Sequence, residues 1–256
     1  MAGSRGTVMT RVQKLGFYAT PPYSCNYLAG QEAVTLFADP HFPKNTRLYS
    51  ALADCGFRRS GEHLYIPHCS ACTRCVPVRI PVNEFIASRN QQRTLRRNRG
   101  LTINRIPAEF DPEHFALYKR YLLSRHPGGG MDDPTRENYI EFLIASWTET
   151  YFYEMREADK LICIAAVDYM DNALSAVYTF FDPDYARYSP GKFSILFEIA
   201  EARRTGRKWL YLGYWIEGCN KMEYKNEYQP MEFYIDNEWQ RDPATRSSDL
   251  SDDHHR

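Results

Sequence analysis

An excess of charge of either sign and long apolar runs are both missing from this sequence of 256 residues. The 32 Lys and Arg residues balance 32 Asp and Glu residues, so the formal net charge is zero. No stretch approaches the roughly 18 uninterrupted apolar residues of a membrane-spanning helix, and no apolar segment follows Arg5 and Arg11. We therefore expect no membrane span and no export signal, and a site for a polyanion has to be a local patch.

Cysteines are few, and the motifs of several large enzyme classes are absent. The seven cysteines, an odd number without an export signal, indicate a reducing, cytoplasmic setting in which thiols are free, buried or metal-bound. We find no Ser-His-Asp, HExxH, P-loop or Rossmann pattern. What is present, 43% hydrophobic and 14% aromatic residues, indicates a folded chain of one large or two small domains.

Caps and periodicity predict an α+β protein with two domains and a tail. Residues 1–87, rich in Pro and Cys, predict a smaller Cys-containing α+β domain with a helix at Thr46–Asp54 and an edge strand at Cys75–Val82. Residues 88–240 predict a mixed sheet with flanking helices in the element order of the GNAT-type N-acetyltransferase fold. Residues 241–256, rich in Asp, Ser, His and Arg, predict a disordered tail.

A basic helix is predicted directly after the first domain, with Ser88 as its N-cap. The segment Arg89–Arg99 contains five arginines and no acid. On a helix, residues three and four apart share a face, which groups four of these arginines: Arg89, Arg93, Arg96 and Arg97. A stripe of one sign repels itself, so contact with tRNA phosphates is favoured over a solvated surface.

A second anion site is predicted where a strand turns into a helix at Asp182–Lys192. Backbone N–H groups at such a helix start point outward toward an anion, Gly191 allows close approach, and Arg187 and Lys192 add charge. The alternative is an ordinary helix entry with solvated basic residues. Glycine is sparse here, so the pattern does not indicate coenzyme A.

Three closely spaced cysteines predict a metal or cluster site. Cys69, Cys72 and Cys75 have spacings from which thiolates converge on Zn²⁺ or an iron–sulfur cluster, with Cys25 as the best fourth ligand and His68 as the second. The alternative is a tight loop of packed or free thiols.

Several long, unusual strings resemble the leucyl-tRNA–protein transferases of bacteria, relatives of the arginyl-tRNA–protein transferases, over about Leu15 to Trp239. The matching strings are LFAD (36–39), GFRRSG (56–61), PHCSACTRCVPVRIP (67–81), residues 88–98, GGMD (129–132), SAVYTFFDP (175–183), YLGYWI (211–216) and CNKMEYK (219–225). One departure is Leu28, which stands where the arginyl relatives carry the second cysteine of a CxxC. This departure bears on any metal site shared with those relatives.

The resemblance implies an aminoacyltransferase that joins Leu from Leu-tRNA to the N-terminal Asp or Glu of proteins, marking them for the N-end rule degradation pathway. Its implied partners are aminoacyl-tRNA and such proteins, without DNA or membrane. The ester already stores the driving force, so no cofactor is required. The alternatives are an Arg-tRNA-dependent transferase, a coenzyme A-dependent N-acetyltransferase, and an RNA-binding or metal-sensing module without catalysis.

The residues of such a reaction are predicted from its chemistry. An α-amine has a reference pKa of about 7.7–8.0, so demand for a base is mild, and the catalytic candidates are Tyr214, Lys221, Tyr224 and Lys225. An acidic acceptor residue needs a cation with a planar fork, for which the candidates are Arg58, Arg59 and Arg79.

Overall fold

The computed structural model describes residues 14–125 and 134–241 as a mixed α+β architecture. The GGMD string, Arg5, Arg11 and residues 242–256 of the predicted tail lie outside the described residues. The strands are β1 (Phe17–Ala19), β2 (Tyr23–Ser24), β3 (Glu32–Ala33), β4 (Thr35–Ala38), β5 (Arg58–Ser60), β6 (His63–Pro67), β7 (Val76–Pro81), β8 (Thr102–Pro107), β9 (Glu149–Glu157), β10 (Lys160–Tyr169), β11 (Ala173–Phe181), β12 (Trp209–Trp215), β13 (Glu232–Ile235) and β14 (Glu238–Gln240). The α-helices are α1 (Thr46–Asp54), α2 (Arg89–Arg97), α3 (Pro112–Arg125), α4 (Arg136–Leu143), α5 (Pro190–Arg204) and α6 (Asn220–Glu223), with 3-10 helices at Pro183–Tyr188 and Tyr224–Glu227.

Helix caps form where the sequence predicts them. Asn45 accepts the backbone N–H of Leu48 at the start of α1, and Ser88 forms a reciprocal capping box with Gln91 at the start of α2. Helix α4 begins after Thr135, whose hydroxyl accepts the backbone N–H of Asn138. No helix among the described residues is both long and apolar enough to cross a bilayer.

An eight-stranded sheet in the order β14-β13-β7-β12-β11-β10-β9-β8 forms the centre of the molecule. The β11–β12 pair is parallel, and it extends only over Ala173–Ser175 and Trp209–Tyr211. Both strands continue past the paired residues. Next to these residues, β11 shifts its register against β10, and β12 shifts its register against β7. Such bulges bend a strand, so β11 and β12 diverge and leave a gap between them, which we call the strand separation.

Different elements cover the two faces of the sheet near this separation. Helix α5 packs on the face to which Leu174 and Leu210 point. The alternate residues Ala173 and Tyr211 point to the other face, against α1 and a four-stranded sheet in the order β1-β4-β6-β5. Helices α3 and α4 cover a separate part of the sheet. The separation is therefore reached by α5 from one side and by β5 from the other.

Strand β7 corrects the prediction of an edge strand at Cys75–Val82, because β7 lies between β12 and β13. Strand β13 pairs with β7 only at Val78 and Arg79, so Pro77 and Pro81 lie outside the part that is paired on both sides. Proline removes a ladder hydrogen bond, and this arrangement accommodates that loss. The sheet thus contains a strand from the 1–87 segment, and the division into domains 1–87 and 88–240 stays a prediction.

Candidate active site at the strand separation

The guanidinium of Arg58 lies at the strand separation. Its Nη2 donates to the carbonyl of Ala176 on β11 at 2.6 Å, and its Nη1 lies 3.4 Å from the Tyr211 carbonyl on β12 and 3.4 Å from Ser175 Oγ. The carbonyls belong to β11 and β12 at the level where the pairing of these two strands ends. The side chain is half-buried, and no described carboxylate forms an ion pair with it. A cation without a counterion at this position is available for an anionic ligand.

Gly213 makes room for this guanidinium. Its φ of +84° lies in the left-handed region, and a Cβ at this position would approach Arg58 Cζ to 3.1 Å. A larger residue would be strained and would press against the arginine. The glycine in the YLGYWI string therefore belongs to the geometry of the site.

Arg59, the next residue on β5, is held in a buried ion pair, and its acceptor-binding role stays a prediction. Consecutive strand residues point to opposite faces, so Arg59 points into the core. Its Nε and Nη2 donate to both oxygens of Asp168 at 2.6 and 2.7 Å, and the side chains of both residues are fully buried. Further donors reach the carbonyls of Gly61 and Leu143. This neutralised pair fixes β5 against β10 and leaves no face for a ligand.

Arg79 is paired with two carboxylates, and its acceptor-binding role stays a prediction. Its Nε donates to Glu232 at 2.8 Å, and its Nη1 donates to Asp54 at 3.0 Å. The guanidinium lies between the rings of Trp209 and Trp239, at 3.8 and 4.2 Å from their centroids. Two carboxylates and two aromatic faces saturate the arginine, which joins α1, β7, β13 and β14.

Lys225 and Tyr224 are within electrostatic reach of Arg58, and their catalytic roles stay predictions. The Nζ of Lys225 donates to the Tyr214 carbonyl at 2.5 Å, and the side chain is buried. Burial, followed by the charge of Arg58, lowers the pKa of Lys225 to about 7. Burial raises the pKa of Tyr224 to about 12, and Arg58 opposes this shift. A neutral amine is therefore available next to the strand separation near pH 7.

Tyr214 and Lys221 have different surroundings. The Tyr214 hydroxyl lies 3.2 Å from the carbonyls of both Gly56 and Tyr65, and burial holds its pKa well above the usual range. Tyr214 therefore anchors the four-stranded sheet to β12, and a catalytic role for its hydroxyl is not supported. Lys221 lies exposed on α6, and its catalytic role stays a prediction.

Glu198 belongs to the same site, and the sequence analysis missed it. The residue has no exposed surface, and its Oε1 accepts from Ser194 Oγ at 2.9 Å. Burial raises the pKa of Glu198 to about 8, while the Ser194 hydrogen bond and the charge of Arg58 oppose the shift. The signal in the sequence is a Glu four residues after a Ser within the otherwise apolar run FSILFEIA (193–200).

The predicted anion cradle at the start of α5 is present as a helix N-terminus. Ser189 adopts a left-handed conformation, and the first turn leaves the N–H groups of Gly191 and Lys192 without helical partners. The Lys192 ammonium is bound to Glu227 at 2.6 Å, whereas Arg187 is exposed and donates to the Tyr188 hydroxyl. Phosphate binding here stays a prediction.

The basic helix α2 has the predicted surface. The residues that share its four-residue-spaced face are all exposed: Arg89, Arg93, Arg96 and Arg97. Within the described residues, none of them forms an ion pair with a carboxylate. Gln91, Thr94 and Asn98 are buried on the opposite side of the helix, where Asn98 donates to the Tyr188 carbonyl. The cationic face therefore points to solvent next to the start of α5.

The four cysteines of the predicted metal site lie near one another as free, half-buried thiols. Burial, followed by the neighbouring Cys25, Cys69, Cys72 and Cys219, raises the pKa of Cys75 to about 12. Cys69 Sγ accepts the Val34 N–H at 3.4 Å. In the described part of the chain no three His, Cys, Asp or Glu residues form a group that could hold a metal ion. Zinc or cluster binding stays a prediction, and no chemical step is assigned to it.

An open apolar groove of about 500 Å³ lies away from these groups, over the four-stranded sheet. Its walls include Tyr18, Phe37 and His63, without a carboxylate, lysine or arginine. The charged groups that could act on an ester or an amine are at the strand separation, and the candidate active site is therefore placed there.

Family models and similar sequences point to one family. Models of the N-terminal and C-terminal parts of arginine-tRNA-protein transferase match residues 23–93 and 113–235. Aspartate/glutamate leucyltransferases are 47% identical in Pseudomonas putida strain W619 and 46% identical in Pseudomonas aeruginosa strain LESB58, each over 90% of this chain and 98% of the relative. Among solved structures, FemX has 9% identity and a TM-score of 0.43 over 80% of this chain and 81% of that chain. The C-terminal domain of a putative lysylphosphatidylglycerol synthetase from Agrobacterium fabrum has 14% identity and a TM-score of 0.44, over 66% and 52%. The chain belongs to the arginine-tRNA-protein transferase family.

Proposed function

We propose that the protein transfers leucine from Leu-tRNA to the α-amine of proteins that begin with Asp or Glu, which marks them for degradation by the N-end rule pathway. The observation that carries this proposal is the unpaired Arg58 guanidinium in the strand separation. An acidic side chain that enters a partly dry site loses hydration, and a forked cation replaces it. Relatives 47% identical are named for the same two acceptor residues.

The reaction needs two substrates and no further energy source. The acceptor nitrogen attacks the leucyl ester carbonyl, a C–N amide bond forms and the ester C–O bond breaks. The proton lost by the nitrogen ends on the ribose oxygen of the departing tRNA. Lys225 is the candidate to carry this proton, because its pKa of about 7 is close to that of an α-amine.

We also propose that the eight-stranded sheet is of the GNAT type, with a Cys-containing N-terminal domain beside it. The separation of β11 and β12 next to the start of α5 supports this assignment. The 3′ end of tRNA would then take the place of an acyl-coenzyme A, with the exposed arginines of α2 on its phosphates.

Arg58→Gln is the variant that tests the acceptor site. Transfer of labelled leucine is measured on peptides that begin with Asp, Glu, Asn or Ala, with Leu-tRNA and separately with Arg-tRNA as the donor. In the wild type we expect transfer from Leu-tRNA to Asp and Glu. The variant should lose about 30-fold or more in kcat/KM on Asp, because truncating one partner of a buried charge pair costs 2–5 kcal/mol.

The matched control is Arg47→Gln, at an exposed arginine of α1. Its Asp-to-Asn preference should equal that of the wild type, and Leu-tRNA binding should be unchanged within about twofold in both variants. Retention of the full Asp-to-Asn preference in Arg58→Gln would remove Arg58 from the acceptor site. Transfer from Arg-tRNA alone would replace leucine by arginine as the donated residue.

A further inference from the structure

One carboxylate oxygen at the strand separation has no hydrogen-bond partner. Within the described residues, Glu198 Oε2 is buried without a donor, whereas Oε1 is held by Ser194, whose hydroxyl lies 3.3 Å from Thr179 Oγ1. Buried polar atoms are normally paired, so an unpaired oxygen needs an explanation. Ser194 and Thr179 hold the carboxyl in one orientation, which leaves Oε2 free to accept a donor.

Glu198 and Arg58 approach the separation from opposite faces of the sheet. Glu198 lies on α5, which packs with Leu174 and Leu210, whereas Arg58 lies on β5 and contacts Ser175. Ser194, which holds Glu198, lies 3.3 Å from Thr179 of β11, the strand whose Ala176 carbonyl accepts from Arg58. The charge of Arg58 also lowers the pKa of Glu198. Other titratable neighbours of Glu198 are Cys163 of β10 and the tyrosines at 224 and 228. No lysine or arginine is paired with Glu198 among the described residues.

The two substrates of the proposed reaction bring groups of opposite charge to the strand separation. The acceptor brings a side-chain carboxylate, whereas an aminoacyl ester brings an α-amino group that is partly protonated at neutral pH. The carbonyls at the separation are already occupied, that of Ala176 by Arg58 and that of Tyr214 by Lys225. Glu198 Oε2 therefore has no partner at the site, and the buried carboxyl, whose pKa is about 8, can take its negative charge when a cation pairs with it.

We propose that Glu198 binds the α-ammonium group of the leucyl ester, so that the enzyme distinguishes an aminoacyl donor from an acyl donor without an amine. This inference rests on the proposed transfer from Leu-tRNA. The donor amine lies on the α5 side and the acceptor carboxylate on the Arg58 side, with the ester carbonyl between them. Because Glu198 has no exposed surface, the proposal requires the leucyl group to enter between β11 and β12, beyond the residues at which these strands pair.

The test compares Leu-tRNA with tRNA esterified by 2-hydroxy-4-methylpentanoic acid, in which a hydroxyl replaces the amine. Both donors are assayed on the same Asp-starting peptide, so the contribution of Arg58 is constant. The wild type should prefer Leu-tRNA by about 10-fold or more, because a hydrogen bond to a charged group is worth about 1.5–3 kcal/mol. Glu198→Gln should lose most of this preference through slower transfer from Leu-tRNA, with the hydroxy donor nearly unaffected. The matched control is Glu238→Gln, at an exposed residue of β14, which should keep the wild-type preference.

Equal losses on both donors in Glu198→Gln would overturn the proposal, since the carboxyl would then serve structure or proton transfer. A wild type without preference would also overturn it. Absence of any transfer by the wild type would instead contradict the proposed function. If Glu198→Gln does not fold, the proposal is tested by inhibition of the wild type with small esters. Leucine methyl ester should compete with Leu-tRNA at least about 10-fold better than the matching hydroxy ester. Equal competition would overturn the proposal.

Discussion

Arg58, Arg59 and Arg79 have three different environments in this protein. Arg59 is buried against Asp168, Arg79 is held between two carboxylates and two indole rings, and Arg58 touches only neutral oxygens. The roles differ because each guanidinium has a different number of partners, and because those partners differ in charge.

Arg79→Met should destabilise the fold and leave the chemistry intact. Removing the guanidinium leaves Glu232, which is mostly buried, with only the exposed Arg241 at 4.0 Å, at an expected cost of about 2–4 kcal/mol in the free energy of unfolding. The measurement is urea unfolding together with kcat/KM on Asp peptides at a temperature where the variant is folded. A stable Arg79→Met protein with lost acceptor selectivity would restore Arg79 to the acceptor site.

Glu198 and Lys225 make opposite contributions to stability against pH. The folded pKa of Glu198 is raised from 4.5 to about 8, so its penalty is absent below pH 4.5 and grows until pH 8. The folded pKa of Lys225 is lowered from 10.5 to about 7, so its penalty is complete below pH 7 and disappears as the pH rises to 10.5.

Glu198→Gln should therefore gain stability over the wild type as the pH rises from about 5 to about 8 and keep that gain above pH 8, on the order of 5 kcal/mol at most. Lys225→Met should show its largest gain below pH 7 and lose it in alkali. Thermal unfolding of the three proteins at each pH measures both differences. If the stability of all three proteins changes with pH in the same way, neither group has a shifted pKa.

At the scale of elements, α2 separates its structural side from its cationic side. Gln91, Thr94 and Asn98 are buried, while its arginines face solvent without carboxylate partners among the described residues. The capping box at Ser88 stabilises the start of the helix by about 0.5–2 kcal/mol. The arginines can therefore be replaced without disturbing the packing of the helix.

Replacing Arg93, Arg96 and Arg97 by Ala should weaken tRNA binding and flatten its salt dependence. Each lost phosphate contact removes about one released counterion, so the slope of log K against log salt should fall by about 2–3. Fluorescence anisotropy with labelled tRNA over a salt series measures this slope. The matched control replaces three exposed basic residues elsewhere, Arg47, Arg136 and Lys208. An equal reduction in the control would mean that general charge, and not α2, binds the tRNA.

For the whole molecule, β7 connects the two predicted domains. It lies inside the eight-stranded sheet, and Arg59 of the first segment neutralises the buried Asp168 of the second. Gly61 adds to the contact, because a Cβ there would meet the Glu141 backbone carbonyl at 1.7 Å and its N–H donates to Phe142. The second segment therefore lacks a sheet strand and several buried contacts when the first segment is absent.

A fragment of residues 88–241 should not unfold cooperatively when it is produced alone. It lacks the strand between β12 and β13 and leaves Asp168 as a buried charge without a cation. Calorimetry measures the transition, with fragments 1–87 and 88–241 produced together as the control that restores it. A sharp transition in 88–241 alone would show that the second domain folds independently.

Local signals in the sequence determined the elements that depend on neighbouring residues. Asn45 and Ser88 cap their helices, and the arginines of α2 share an exposed face, because capping and helical spacing act over three or four residues. The long strings at 56–61 and 211–225 also identified the family and the segments that meet at the strand separation. These features needed no knowledge of distant contacts.

Only the tertiary structure decided which charged groups are paired and which are free. Arg59 meets Asp168 and Arg79 meets Glu232 across more than a hundred residues of sequence, which left Arg58 as the one unpaired arginine among the three acceptor candidates. The same packing moved β7 from a predicted edge into the sheet and buried Glu198 beside Arg58. Burial and ion pairing are set by partners that are distant in sequence, and no local pattern encodes those partners.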